Sequence, residues 1–323
     1  MAKRVPGVSA IVNSASVSPQ RAPVADAYQE EVRDSKSGGG DEPSCTIKQL
    51  PERLQFKAAA VAATINPVNE PVIGRSAAVS EGVLPTPLAI AVATAKYWGP
   101  TPRRFTVSFV ESTPADLGRR IILHLNAWAQ SSGMSFVQTN GTGQIRISRG
   151  AGGYWSYLGT DVLLIPPSRP TMNLQSFSMS TPDSEYRRVV RHEAGHTLGF
   201  PHEHMRQQLV ARIDPAKAYD YFFRNYRWDR TTVDQQVLTP LDDRTILGTA
   251  PDQDSIMCYQ LPGSITRDAL PIRGGADINS TDASFAGRIY PRPGAAPGGG
   301  GCEPASSEDD WPESEDVDVQ YPD

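Results

Sequence analysis

The 323-residue chain is predicted to fold as an α+β domain of about 200 residues with flanking material, on three observations. Between Arg104 and Ile165 the apolar pattern reads strand, helix, strand, strand, strand. From about residue 182 to 198 a longer helical stretch carries two histidines four residues apart, and the chain from Asp277 to Tyr290 reads as a capped final helix.

Residues 1–44 are rich in Ser, Ala, Pro and charge and end in Gly38-Gly39-Gly40, the composition of a disordered leader. Lys3 and Arg4 precede Val5 to Val12, but Pro6, Gly7 and Ser9 interrupt that run. No signal peptide is read, so the expectation is a cytoplasmic protein or leaderless secretion. Residues 45–94 are a possible pro-region or N-terminal extension, in which Leu50, Leu54, Ala58, Ala62 and Ile65 suggest a short amphipathic helix that Pro67 stops.

Phe105, Val107 and Phe109 alternate, which predicts a strand over 104–110 with one buried face. Pro114 opens a helix with Leu117, Ile121, Leu125 and Trp128 at helical spacing; His124, beside that stripe, reads as a packed residue rather than a ligand. Ser135–Thr139 and Gln144–Ser148 read as strands joined through the turn Asn140-Gly141, with further strand-like stretches at 153–159 and 162–165. Thr181-Pro182-Asp183 offers a hydroxyl cap, a proline at the first helical position and an acid in the first turn.

The stretch 215–240 interleaves aromatics with Arg224, Arg227 and Arg230 and reads as helical padding rather than a platform for nucleic-acid bases, because Asp220, Asp229 and Asp234 offset its charge. Asp277 to Asp282 lacks the glycine and distal glutamate of a calcium loop, so a helix cap is expected there. Residues 294–323 form a Gly-rich linker and an acidic, disordered tail; 303–323 hold nine Asp or Glu and no Lys or Arg. Without that tail 31 basic residues face 27 acidic ones, and bulk charge gives no sign of nucleic-acid binding. No uninterrupted apolar run of about 18 residues is present to span a membrane. Three cysteines cannot all pair internally; a Cys45–Cys302 bridge is one option in an oxidising compartment.

The chemistry concentrates in His192-Glu193-Ala194-Gly195-His196-Thr197-Leu198-Gly199-Phe200-Pro201-His202. Residues four apart share a helix face, so His192 and His196 can meet one cation. Gly199 permits the left-handed turn that ends a helix and Pro201 cannot continue it, so the chain doubles back and delivers His202. Three imidazoles leave one position of a tetrahedral Zn2+ open to water, the arrangement of a catalytic site holding one ion. Glu193, beside the first ligand, is placed to take a proton from that water and return it to a leaving amine. His204 is expected to be a polar neighbour, since three ligands suffice.

This extended motif, with Ser255-Ile256-Met257-Cys258-Tyr259 downstream, resembles the metzincin zinc metallopeptidases. Gly199 to Glu203 and the tyrosine two residues after Met257 resemble the astacin-like family, of a bacterial type lacking the usual disulfides. The resemblance covers roughly residues 95–293. It implies a two-lobed fold with a twisted mixed sheet in the upper lobe, an irregular helical lower lobe, and a cleft between them. It also implies an apolar floor at Met257 and, at Tyr259, a switchable ligand that hydrogen-bonds the tetrahedral intermediate. Ser156-Tyr157-Leu158-Gly159 resembles the family's cleft-lining edge strand, with Trp155, Ser156 and Tyr157 either contacting substrate or packing in the core. Glu203 is implied to anchor a freed amino terminus, with a local ion pair to Arg206 as the alternative. Cys45, or Asp41 after Gly40, is implied as a latency switch on the zinc, or else is idle. The expected function is a monomeric zinc endopeptidase acting on protein or peptide; a catalytically silent zinc-bearing scaffold, or action on a non-peptide amide, are the other readings.

Overall fold

The structure is a computed structural model that describes residues 45–70, 95–241 and 250–294. The readings on the leader, residues 71–94, the linker and the acidic tail therefore lie outside the described residues, as do Asp41 and Cys302. Six strands form one mixed sheet: β1 (Cys45–Lys48), β2 (Arg103–Phe109), β3 (Met134–Gln138), β4 (Ile145–Ser148), β5 (Tyr154–Tyr157) and β6 (Met172–Leu174). Their order is β1-β5-β6-β4-β2-β3. β5 runs antiparallel to β6, and every other adjacent pair is parallel.

The alternation in β2 does what it predicts: Phe105 and Val107 are fully buried. Helix α2 (Ala115–Leu125) lays Leu117, Ile121 and Leu125 into the same core, and Trp128 follows from the turn beyond its end. His124 on this helix is buried, with Nε2 3.3 Å from an Asp183 carboxylate oxygen. Helix α1 (Glu52–Ile65) buries Ala58 and Ala62 of the expected stripe, with Ala59 beside them, while Leu54 and Ile65 are half-buried. Among the described residues no helix is long and apolar enough to cross a membrane.

Three readings need correction. The strands flanking Asn140-Gly141 do not pair as a hairpin, because β2 lies between them with β3 on one side and β4 on the other. The turn signal is local, whereas the pairing is settled by β2, whose Ser108 and Thr106 hydroxyls accept the amides of Gly143 and Gln144 as the chain crosses. Val162 to Ile165 is not a strand. It belongs to the tight helical turn Gly159–Leu164, which is held by the Thr160 amide on the Lys96 carbonyl and by the buried Lys96–Asp161 ion pair at 3.1 Å. Thr181 does not cap the long helix, since its hydroxyl accepts the Ser178 amide instead. Ahead of the expected helix of the extension, residues 45–48 add to β5 as an outer strand.

The long helix α3 spans Asp183–Thr197, with a widened π-type turn at Tyr186–Val190 just before the histidines. Helix α4 (Pro215–Tyr226) starts on Asp214, whose carboxylate accepts the amides of Ala216 and Lys217, and on Pro215, which lacks the donor that would be orphaned there. Its Phe222 stacks on Trp228 at 5.0 Å in a second hydrophobic cluster with Leu209, Ile213, Val233 and Val237, while the neighbouring Phe223 is exposed. Helix α5 (Ser280–Ile289) opens with a capping box between Asn279 and Asp282.

Tyr290, at the end of α5, is fully buried; its hydroxyl accepts the Trp98 amide and donates to the Leu198 carbonyl at the end of α3. Tyr290→Phe leaves both backbone groups without that partner and is expected to lower unfolding stability by about 1–3 kcal/mol, read from the denaturant midpoint. An unchanged midpoint would show that neither bond contributes.

Candidate active site

Helix α3 ends at the glycine the sequence singles out. Gly199 adopts φ +95°, the Gly199 amide donates to the His196 carbonyl and the Phe200 amide to the Gly195 carbonyl, both at 2.9 Å, which is the Schellman pattern. The reversal brings His202 back over the helix, so that the ring centres of His192, His196 and His202 lie 4.6 to 5.3 Å apart. All three rings are buried.

Each of the first two imidazoles has its Nδ1 committed to a backbone carbonyl. His192 donates to Ile256 at 2.6 Å and His196 to Phe200 at 2.8 Å. That fixes the tautomer and turns both Nε2 atoms inward, the orientation carbonyl partners impose on metal ligands. Burial holds His192 down to about 4 and His196 and His202 well below the ordinary histidine value, so all three rings are neutral and able to ligate. His192 Nε2 is buried with no hydrogen-bond partner in the protein, and His196 Nε2 sits 3.1 Å from His202 Nε2. An orphaned buried nitrogen facing two more imidazole nitrogens fits a bound cation, and nitrogen donors of this kind suit zinc.

The fourth donor comes from far away in sequence. Cys45 at the start of β1 places its Sγ 3.7 Å from His196 Nε2 and 3.6 Å from His202 Nε2, and its thiol donates to Glu193 Oε1 at 2.9 Å. Ligand atoms of Cys45, His192, His196 and His202 all lie within 4.8 Å of one another. Burial and then the Glu193 charge push the Cys45 thiol up, so the thiol keeps its proton until a cation displaces it. Burial likewise raises Glu193 to about 8. A cavity of about 320 Å³ opens on this group, lined among others by Tyr154, Arg188, Glu193 and Tyr259.

Met257 lies beneath the helix as the floor. A side chain on Gly195 would collide with the Met257 sulfur, so the glycine inside the motif is required by this close approach. The Tyr259 ring lies 6.1 Å from that of His202, and burial raises its phenol well above the ordinary tyrosine value. Glu203 accepts the Asp252 amide at 3.1 Å and lies 3.9 Å from Arg206; among the described residues it serves the local arrangement. Its amide donates to the Met257 carbonyl at 2.9 Å, tying the third ligand's loop to the floor. Of the edge-strand residues, Ser156 turns its hydroxyl inward to Thr197 at 3.2 Å, Tyr157 is buried, and Trp155 lies under the Lys48 ammonium at 5.2 Å. His204 is fully buried and its Nε2 donates to the Gln236 carbonyl, away from the other rings' donor atoms.

One residue that braces the site escapes sequence reasoning. Asp282, read only as a helix cap, also accepts the Ser255 hydroxyl at 2.5 Å and the Ile256 amide at 2.9 Å, and so clamps the turn whose Ile256 carbonyl orients His192. Asp282→Ala is expected to keep the fold but weaken zinc binding by roughly 10- to 100-fold in competition with a chromophoric chelator, as loss of an outer-shell partner does. Unchanged affinity would remove Asp282 from the site.

Comparison with known proteins agrees with this geometry. Residues 93–262 match the family model for astacin, a family of peptidases. Zinc metalloproteinase nas-27 of Caenorhabditis elegans is 29% identical over 100 residues, which is 31% of this chain and 21% of that protein, so the match spans about a fifth of the curated relative's length. A solved structure of myroilysin is 30% identical with a TM-score of 0.57, over 61% of this chain and 96% of that one. The residues matched by the family model make up more than half of the chain, and the chain belongs to the astacin family of peptidases.

Proposed function

We propose that this chain is a zinc endopeptidase that hydrolyses peptide bonds and is held latent by its own residues 45–50. The observation that carries the proposal is the place of the Cys45 sulfur, which reaches the imidazole donors and the Glu193 carboxylate together. His192, His196 and His202 would hold one zinc ion. That ion supplies a Lewis acid, which polarises the peptide carbonyl and acidifies the attacking water toward a pKa of about 7.

The remaining steps belong to the protein. Glu193, buried beside the ligands, accepts the proton of the water and passes it to the leaving amine. Tyr259, whose ring lies 6.1 Å from that of His202, donates its phenolic hydrogen to the developing oxyanion. The open backbone of β5 receives the substrate as an added strand, the place β1 takes in the latent form. With Cys45 in place both the ligand position and the general base are covered, so water and substrate are excluded together. The substrate is protein or peptide, and the chain works as a monomer, which sedimentation of the zinc-loaded protein would test.

The full-length, zinc-loaded chain is offered a mixed peptide library, with cuts read by mass spectrometry. Cys45→Ala is expected to cut at least about tenfold faster than the parent, and a zinc chelator is expected to abolish the cuts. Adding Glu193→Ala should retain one zinc per chain yet lower turnover by on the order of 10²-fold or more. A Cys45→Ala chain that holds zinc and cuts nothing would sink the peptidase reading. Equal rates for parent and Cys45→Ala would sink the latency reading alone.

A further inference from the structure

We infer that Gln236 is a substrate-binding residue whose side-chain carboxamide reads the peptide main chain along β5, two residues from the one at the metal site. The inference rests on the peptidase reading above, because it names a binding group of the same cleft.

In an extended strand the N–H and C=O of one residue point to one side, and those of the next residue to the other. β1 pairs with β5 along one side only, in the register Cys45↔Tyr154 to Lys48↔Tyr157. Ile47 directs its main-chain groups the other way, and Gln236 meets them: Oε1 accepts the Ile47 amide and Nε2 donates to the Ile47 carbonyl, both at 3.1 Å. One side chain thereby acts as a strand edge one residue long. Both residues are buried, so these four polar groups depend on each other for satisfaction.

The carboxamide is held in place from behind. Gln236 sits in the helical turn Asp234–Leu238, which Val233 and Val237 anchor in the second hydrophobic cluster. His204 donates from Nε2 to the Gln236 carbonyl at 2.9 Å, and its ring lies 5.0 Å from that of His202. The histidine that supplies no ligand atom thus holds the wall of the cleft at a set distance from one that does.

Three arguments extend this contact from the latent segment to substrate. Once residues 45–50 leave, the carboxamide faces the cleft with a donor and an acceptor that need new partners, and leaving buried polar groups unmade is costly. A peptide laid on β5 presents an N–H and a C=O at that point whatever its side chains are. An amide offers donor and acceptor side by side and exchanges them by a half-turn about its last torsion, so it serves a chain of either direction. A glutamate there would not.

The test uses the full-length, zinc-loaded chain carrying Cys45→Ala, with and without Gln236→Ala. A peptide that this protein cuts is resynthesised as a series in which each residue in turn becomes its α-hydroxy acid, which exchanges one N–H for an ester oxygen. With Gln236 present, one ester near the cleaved bond is expected to lower kcat/KM roughly 5- to 10-fold, and Gln236→Ala should erase that penalty at that position alone. The ester-to-amide ratio is taken within one protein, so competition from residues 46–50 cancels. Gln236→Glu, which keeps the acceptor, should keep the penalty, and thermal denaturation checks that each variant folds. Dissociation constants for the same peptides on the Cys45→Ala, Glu193→Ala chain give the same comparison without turnover. Superimposable ester profiles with and without Gln236 would overturn the inference. If the Cys45→Ala chain binds zinc but cuts nothing, the peptidase reading fails, and dissociation constants for an ester series made on a peptide with the sequence of residues 45–50 still decide on Gln236.

Discussion

The hydrogen bond from His192 Nδ1 to the Ile256 carbonyl joins the helix that carries the ligands to the turn beneath it. Everything around the site keeps that bond in register. Asp282 holds the Ile256 amide and the Ser255 hydroxyl while also closing the capping box of α5. Met257 fills the space that Gly195 leaves open, and the Met257 carbonyl accepts the amide of Glu203, next to the third ligand. Tyr290 returns from the end of α5 to the last carbonyls of α3. A ligand ring oriented by backbone groups loses little freedom when a cation arrives, and placing those backbone groups is the task of the C-terminal third of the domain.

The cleft is governed by a different constraint, the side of β5 that only the N-terminal extension covers. An exposed edge offers main-chain donors and acceptors to whatever extended segment arrives first. Here residues 45–48 of the same chain take it and bring Cys45 to the metal site. Covering the edge and filling the fourth ligand position are therefore one event, not two. The contact space between this extension and the body, about 140 Å³, is lined by groups such as Leu50, Leu158 and Met205. The extension is held by its ladder with β5, by directed contacts at Cys45, Ile47 and Asn69, and by Leu50 and the alanine face of α1.

Much of this site is legible in the sequence because its geometry is local. Two imidazoles four residues apart on a helix must share a face, and a glycine followed by a proline must end it, whatever the rest of the chain does. The floor and the tyrosine behind it follow from the resemblance carried by Ser255 to Tyr259. Elements judged from local signals fare unevenly. The buried face of β2 and the stripe of α2 hold, while the turn Asn140-Gly141 suggests a hairpin that β2 prevents by inserting between the two strands. Thr181 has the chemistry of a cap, but a nearer amide at Ser178 claims its hydroxyl.

The sequence by itself determined the α+β class and the clustering of His192, His196 and His202 with Glu193 beside the first of them, because helical spacing and turn chemistry act over a few residues. Tertiary structure alone decided that Cys45 lies on Glu193 across 148 residues of sequence, that Gln236 completes a strand 189 residues away, and that Asp282 steadies His192 through Ile256. Those contacts join groups with no common period or motif, and they form only when the packing of the sheet and the two hydrophobic clusters brings distant segments within hydrogen-bond reach.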